Sequence, residues 1–322
     1  MTILITGVAG FVGSQVARAL VARGEDVLGI DNFSPYYDPV LKFARLKPLR
    51  ESNHFTFLEL DVSNRDAMLA VAERHPQVDR IIHLAAQPGV RQSVTDPYIY
   101  VQANVMGHLI VLELARRYPG LKHLVYASSS SVYGANTKLP FSVADRVDHP
   151  VSVYAATKRS AELMTEAYVH LHKLKATGLR YFTVYGPWGR PDMSPYIFAK
   201  AIQEGSTISL FHLGFVKRDF SYIDDIVAGT LAALDQPAAE PSHRLYNVGA
   251  AGSEDILHVI ELFEKALGKK AKIELKPGEP GDMLETAADI TETTRDFGWT
   301  PKVSVEEGIP KFVEWFKAYN GL

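Results

Sequence analysis

Tyr154-Ala-Ala-Thr-Lys158 puts a phenol and an ammonium one helical turn apart on one face. A neighbouring cation lowers a phenol's pKa from about 10 and makes it a usable base for an alcohol or sugar hydroxyl near neutral pH. The same spacing occurs at Tyr118/Lys122 and Tyr196/Lys200. Pro119-Gly120 breaks the first pair off any shared helix face. The second can be helical but lies late in the chain, away from the strand ends where a ligand should sit. Only Tyr154/Lys158 follows an apolar run, 121–127, whose end carries four hydroxyls, Ser128-Ser129-Ser130-Ser131.

A second constellation opens the chain. Gly7-Val-Ala-Gly10-Phe11-Val12-Gly13 joins the apolar run 2–6 to an apolar helical stretch. Glycines there permit a tight turn and let the backbone approach a pyrophosphate, which settles on the N–H groups of a helix N-terminus. Glycine triplets are common in loops, but here the strand before, the helix after and an acid at the next strand's end agree. That acid, Asp31, closes Val27-Leu28-Gly29-Ile30. A carboxylate so placed accepts the adenosine ribose hydroxyls and repels a 2′-phosphate, favouring NAD over NADP; the alternative is an Asp capping the loop that follows. Asp61-Val62, at another strand end, either touches adenine or caps the next helix.

Both constellations need a scaffold that brings strand ends together. Short apolar runs at 2–6, 26–30, 55–60, 80–84, 121–127 and 176–182 alternate with helical stretches at 12–23, 65–74, 104–118 and 154–171, whose apolar residues recur every three and four. This is the pattern of an α/β protein with a Rossmann-type, doubly wound parallel sheet. After Val184 the texture changes to the loop Gly186-Pro-Trp-Gly-Arg190-Pro191, followed by helices near 253–267 and 304–319 and Gly/Pro-rich connectors near 277–281. The stretch 220–234 with 244–248 again reads strand, helix, strand, so the chain is expected to return to the first unit. The expected division is a dinucleotide-binding domain of 1–182 plus about 219–250, and a smaller α/β substrate domain of 183–218 plus about 251–322.

The glycine pattern, Leu84-Ala85-Ala86, Ser-Ser-Val-Tyr133-Gly134, Tyr154-x-x-x-Lys158 and Arg218-Asp-Phe-Ser-Tyr-Ile-Asp-Asp225 resemble the extended short-chain dehydrogenase/reductases that act on nucleotide sugars. The resemblance spans essentially the whole chain. Asn32-Phe-Ser-Pro-Tyr-Tyr-Asp38, Tyr133-Gly-Ala-Asn-Thr-Lys138 and Tyr185-Gly-Pro-Trp-Gly-Arg-Pro-Asp-Met193 are most similar to the UDP-glucuronate 4-epimerases of that family. The resemblance implies NAD as cofactor, Tyr154, Lys158 and Ser129 as the catalytic set, and Asn32, Leu84, Ala85, Ala86 and Tyr181 beside the glycine turn, Asp31, Asp61 and Val62 as cofactor contacts.

Dehydratases of the family carry Asp-Glu just after the catalytic hydroxyl, and its decarboxylases carry Glu in that segment; here Ser130, Ser131 and Val132 stand there. Oxidation at carbon 4, rotation of the keto-sugar and return of the same hydride to its opposite face then remain. A uronate carboxylate would be met by neutral donors from Ser130, Ser131 and Thr183, the last standing where galactose epimerases carry Asn. Arg218 matches the family's diphosphate arginine, and Arg190 and Arg91 are further candidates; a lone arginine is more commonly a solvated surface charge. Asp282 resembles a uridine-ribose contact, with a turn Asp as the alternative. A neutral-sugar 4-epimerase of the UDP-galactose type, and a non-catalytic nucleotide sensor, are the competing functions.

Composition fits this picture. The 322 residues carry 34 Lys+Arg against 37 Asp+Glu, a net charge of −3, with 47% hydrophobic residues and no cysteine. No basic run marks a nucleic-acid or polybasic membrane surface, and thiolate metal or disulfide chemistry is excluded. The eleven histidines show no metal spacing. With no leader pattern at the N-terminus and no uninterrupted apolar stretch of about 18 residues, the chain reads as soluble and cytoplasmic. Helices 104–118 and 154–171 are apolar over more than one stripe, which suits the four-helix homodimer interface that the resemblance implies. The aromatic residues Phe312, Trp315, Phe316 and Tyr319 share a helix face, which reads as core packing rather than ligand stacking.

Overall fold

The computed structural model describes residues 1–278 and 283–322. Among these, strands β1 Thr2–Thr6, β2 Asp26–Asp31, β3 Phe55–Glu59, β4 Val78–His83, β5 His123–Ser129 and β6 Lys175–Tyr181 come first, followed by β7 Thr183–Tyr185, β8 Thr207–Leu210, β9 Lys217–Arg218, β10 Phe220–Tyr222, β11 Ser242–Val248, β12 Glu254–Asp255 and β13 Lys272–Leu275. The helices are α1 Phe11–Ala22, α2 Val40–Arg50, α3 Arg65–Arg74, α4 Gln92–Thr95, α5 Pro97–Tyr100, α6 Gly107–Ala115, α7 Val153–His172, α8 Ser194–Glu204, α9 Ile223–Asp235, α10 Ile256–Leu267, α11 Thr291–Phe297 and α12 Val305–Asn320.

The main sheet has the order β11-β6-β5-β4-β1-β2-β3, and every pairing in it is parallel. Strand order reverses between β1 and β4, which opens a crevice at their carboxyl ends. Parallel strands are covered on both faces, so they read as continuous apolar runs: Ile3, Leu4 and Ile5 are all fully buried. One face packs on α1 and α9 through Val16, Leu20, Ile226 and Leu234. The other packs on α3, α6 and α7 through Met68, Val71, Ile110, Leu114 and Val169. Each such side chain contributes roughly 1.5–3 kcal/mol by leaving water.

A separate core joins α8, α10 and α12 through Phe198, Ile202, Phe263, Phe312 and Phe316. The aromatic face of α12 is therefore core, with Trp315 and Tyr319 continuing onto Trp188 at 5.6 and 5.8 Å between ring centres. Strand β11 does return to the main sheet, beside β6, whereas β10 pairs with β7 outside it.

Three local differences from the sequence expectation bear on the site. β5 starts at His123, because Leu121 closes a turn onto the Tyr118 carbonyl; Ser128 and Ser129 thus finish the strand, and Ser130 and Ser131 open a 3-10 turn. The helix expected at 104–118 begins at Pro97 and passes through a π-helical stretch, Val101–Met106, before α6. Its run Pro97–Ala115 has the length and mean hydropathy, 1.2, of a membrane span, yet half of it is buried, with Asn104 bonded to Gln87 and Thr157 and His108 to Thr165. Finally, α2 has no counterpart in the expected helices. Its inward face carries Lys42 and Arg45 beside Leu41, Leu46 and Leu49, all buried, so charge masks the apolar spacing.

Candidate active site

The carboxyl ends of β1, β2, β4, β5 and β6 surround a cavity of about 280 Å³. Gly7, Gly10, Phe11, Val12 and Gly13 form one wall, Asp31 and Asn32 follow β2, Asp61 and Val62 follow β3, and Leu84, Ala85 and Ala86 follow β4. Ser129, Tyr181, Tyr154, Lys158 and Arg190 close the opposite end. Arg91, Ser130, Ser131, Thr183 and Arg218 do not line it, and Asp282 lies outside the described residues. Tyr36, Tyr37, Lys42, Gln87 and Ser128 also line the cavity. Their types alone give them no role, although the two tyrosines sit inside the string 32–38 and Ser128 opens the hydroxyl run 128–131.

The glycine turn fits a dinucleotide by its own crowding. Gly7 has φ +73°, and a Cβ there would stand 2.6 Å from the Ala85 nitrogen; a Cβ on Gly13 would run into the Gly7 carbonyl oxygen. No side chain fits between the turn, β4 and α1, so the open side of the turn is left for a ligand. Phe11, Val12 and Gly13 are the first residues of α1, whose early N–H groups lack intrahelical acceptors and favour an anion. The Asp31 carboxylate accepts hydrogen bonds from the amides of Ala9 (3.0 Å) and Phe33 (2.9 Å), with the Lys42 ammonium 4.0 Å away. Asp61 accepts from Ser63 N–H (2.7 Å) and from the Asn32 amide (2.8 Å). Burial raises its pKa, but these hydrogen bonds, Ser63 foremost, outweigh burial and hold it below the ordinary range. The cap of α3 is Asn64, which accepts from Ala67 N–H, so Asp61 is left facing the cavity.

Tyr154 and Lys158 lie on the first turns of α7, started by Ser152, whose hydroxyl accepts from Ala155 N–H at 3.1 Å. Their pairing differs from the sequence expectation. Lys158 Nζ donates to the Ala127 carbonyl at 2.9 Å. Burial pushes the Tyr154 phenol above its ordinary pKa, opposed by a hydrogen bond with Ser129 and by the charge of Arg190; Lys158 is not what lowers it, because its ammonium is turned toward the strand end. Burial also lowers the Lys158 pKa to about 8, against the charge of Glu162 one turn further along α7. Glu162 itself is buried and accepts hydrogen bonds from Ser128 (2.6 Å), Arg180 (2.8 and 2.9 Å) and Arg159 (3.0 Å).

Arg190 is doubly hydrogen-bonded to Asp192, which also accepts from the Tyr36 hydroxyl at 3.0 Å. Arg91 stacks on Phe211 at 4.2 Å. Arg218, on β9, donates to the Lys217 and Leu284 carbonyls.

Residues 3–249 match the model of the NAD dependent epimerase/dehydratase family. UDP-glucuronate 4-epimerase 4 of Arabidopsis thaliana is 43% identical over 99% of this chain and 76% of its own. The crystal structure of UDP-glucuronic acid 4-epimerase from Bacillus cereus, in complex with UDP-glucuronic acid and NAD, is similar at a TM-score of 0.92 and 34% identity, covering 99% of this chain and 100% of that one. UDP-glucose 4-epimerase from Thermotoga maritima, with UDP-glucose, is similar at 0.89 and 30%, with the same coverage. A cleft built for a dinucleotide, with a tyrosine, a lysine and a serine at its far end, thus sits in a chain that belongs to the NAD-dependent epimerase/dehydratase family.

Proposed function

We propose that this protein is an NAD-dependent 4-epimerase that interconverts UDP-glucuronate and UDP-galacturonate through a 4-keto sugar. The observation that carries this is the meeting of Tyr154, Ser129 and Lys158 with the glycine turn and Asp31 around one cavity, in a chain whose relatives include UDP-glucuronate 4-epimerases. NAD, when bound, supplies the acceptor and then the donor of the hydride. Tyr154 takes the proton of the 4-hydroxyl and returns it, Ser129 fixes the reacting oxygen, and Lys158, whose ammonium the Ala127 carbonyl holds in the protein alone, would turn to the phenolate and the adjoining ribose once NAD is bound. Gly7, Gly10, Phe11, Val12 and Gly13 seat the diphosphate of the cofactor, Asp31, Asn32, Asp61 and Val62 its adenosine, and Leu84, Ala85, Ala86 and Tyr181 the rest.

Residues 1–182 plus about 219–250 act as the dinucleotide domain and the remainder as the substrate domain, where Arg190, Arg218 and Arg91 hold the nucleotide sugar's negative charge and Asp282 its ribose. Ser130, Ser131 and Thr183 supply neutral donors to the uronate carboxylate, which must be satisfied as it leaves water. Thr183→Asn is expected to raise KM for UDP-glucuronate by about tenfold, the value of one good hydrogen bond to a charged group, with a smaller effect on UDP-glucose; equal KM values would remove Thr183 from this role.

Lys158 serves as a cation, and its charge is lost near pH 8. The expected kcat/KM profile, which reports the free enzyme, falls on the alkaline side with an apparent pKa of about 8, and Lys158→Arg, charged throughout, abolishes that limb at lower overall rate. A wild-type profile still rising beyond that pH contradicts the assignment.

The neutral-sugar reading draws on the likeness to UDP-glucose 4-epimerases such as that of Thermotoga maritima; competition between UDP-glucuronate and UDP-galactose in one coupled assay separates the two. We also infer a cytoplasmic homodimer built on the helices at 97–115 and α7, because Tyr98, Val101, Met106, Leu163 and Leu171 are exposed there and an apolar surface of that kind marks an interface. The decisive experiment denatures the purified protein, identifies released nicotinamide nucleotide, and assays UDP-glucuronate for conversion without added cofactor. Released NAD with conversion is expected; neither nucleotide nor conversion overturns the proposal.

A further inference from the structure

Arg45, on α2, is fully buried. Its Nη1 donates to the Ala9 carbonyl at 3.1 Å and to the Tyr37 hydroxyl. Its Nε and Nη2 both donate to the Trp188 carbonyl, at 3.1 and 2.7 Å, and Nη2 also reaches the Gly189 carbonyl at 3.4 Å. No carboxylate pairs with it within 4.0 Å among the described residues, so the guanidinium is spent on three backbone carbonyls and one tyrosine hydroxyl.

The segments it joins are distant in the chain and adjacent at the site. Ala9 lies inside the glycine turn, with its amide held by Asp31 at 3.0 Å; the peptide groups around it are thus gripped from both sides. Trp188 sits at φ +69°, a left-handed conformation unfavourable for a non-glycine residue, and Arg45 satisfies its carbonyl twice. Two residues on is Arg190, whose partner Asp192 is itself tied to Tyr36, the neighbour of Tyr37. Arg18 of α1 reinforces the joint, donating to the Arg45 carbonyl at 3.1 Å and stacking on Trp188 at 5.1 Å.

We propose that Arg45 is a positioning residue that couples occupancy of the glycine turn to the placement of Arg190, through its simultaneous hydrogen bonds to Ala9, Tyr37, Trp188 and Gly189. This rests on the reading of the cleft as an NAD site. An arginine is required because its planar fork has several donors in fixed directions, whereas a lysine of equal charge is a single point on a flexible stem. Such coupling is carried by a rigid element that touches both sites.

The test is hydrogen exchange of the full-length protein, as purified with its nucleotide, after the nucleotide is stripped, and after saturation with NAD. In the wild type, NAD is expected to slow exchange in both 5–14 and 186–193, the latter by about tenfold, within the usual span of coupled sites. In Arg45→Lys at an NAD concentration that protects 5–14 fully, protection of 186–193 falls to less than about twofold. Arg45→Met should behave alike; if it fails to fold, Arg45→Lys alone decides. Protection of both segments in Arg45→Lys as in the wild type, or no protection of 186–193 by NAD in the wild type, overturns the proposal. Coupled protection in a wild type that leaves UDP-glucuronate unconverted would sink the epimerase reading and leave this one standing.

Discussion

Tyr154→Phe should lower kcat on UDP-glucuronate by about 10²–10⁴-fold, the usual worth of a positioned acid–base group, while the protein keeps its nicotinamide nucleotide and its UDP-sugar affinity. The substitution removes one oxygen from a ring that otherwise stays in place, edge-on to Tyr100 at 6.2 Å between centres. The lost hydrogen bond to Ser129 costs roughly 1 kcal/mol of stability, too little to unfold the domain. Burial raises the phenol's pKa in the protein alone, so the group is a poor base until positive charge gathers around it. Arg190 already acts in that direction, and the cationic nicotinamide ring would add to it. The effect should therefore appear in kcat and not in KM, in a single-turnover measurement with the nucleotide content checked beside it. A variant that turned over at the wild-type rate would move the base elsewhere.

The largest expected effect on stability belongs to a residue that does not reach the cavity. Glu162→Ala should cost about 3–5 kcal/mol, because it leaves Arg180 as an uncompensated buried charge; the side chains of the pair are 0% and 1% exposed. Burial pushes the Glu162 carboxyl up, but the hydrogen bonds and charge of Arg180, then Ser128 and Arg159, more than reverse this and hold it below the ordinary carboxylate range. A depressed acid stabilises the fold above its unfolded pKa of about 4.3, and that contribution disappears as pH falls through the lower folded value. Urea midpoints should therefore drop more steeply in acid for the wild type than for Glu162→Gln. Glu162→Gln with Arg180→Met should recover much of the loss, since a buried pair replaced whole is often near neutral. If Glu162→Ala unfolded at the wild-type midpoint, the pair would contribute nothing.

The scaffold was legible because its strands are buried on both faces and announce themselves as apolar runs. The turn Gly7–Gly13 and Asp31 were legible for a related reason: backbone approach and a strand-end acid leave marks on residue type. Side-chain direction leaves none. Spacing places Lys158 on the face of Tyr154, yet whether its ammonium meets the phenol or the Ala127 carbonyl depends on where β5 ends, and that end lies two residues past the expected one. The helix α2 was invisible because two of its inward residues, Lys42 and Arg45, are charged, and a periodicity argument counts them as solvent-facing. Arg218 matches a family position and Arg91 is a loop candidate; neither lines the cavity, and composition cannot distinguish a ligand contact from a surface charge.

The return of β11 to the side of β6 bears on how the chain is made. About sixty residues separate the two strands, and a ribosome needs roughly 3–12 s to deliver them at ordinary elongation speed. During that interval the nascent sheet ends in β6, an open edge with unpaired amides that invites association with another chain. The segment that carries Trp188 and Arg190 is synthesised inside this window, before the sheet is complete. Slowed translation between codons 182 and 241 should therefore lower the soluble yield of the protein more than an equal delay placed after codon 250.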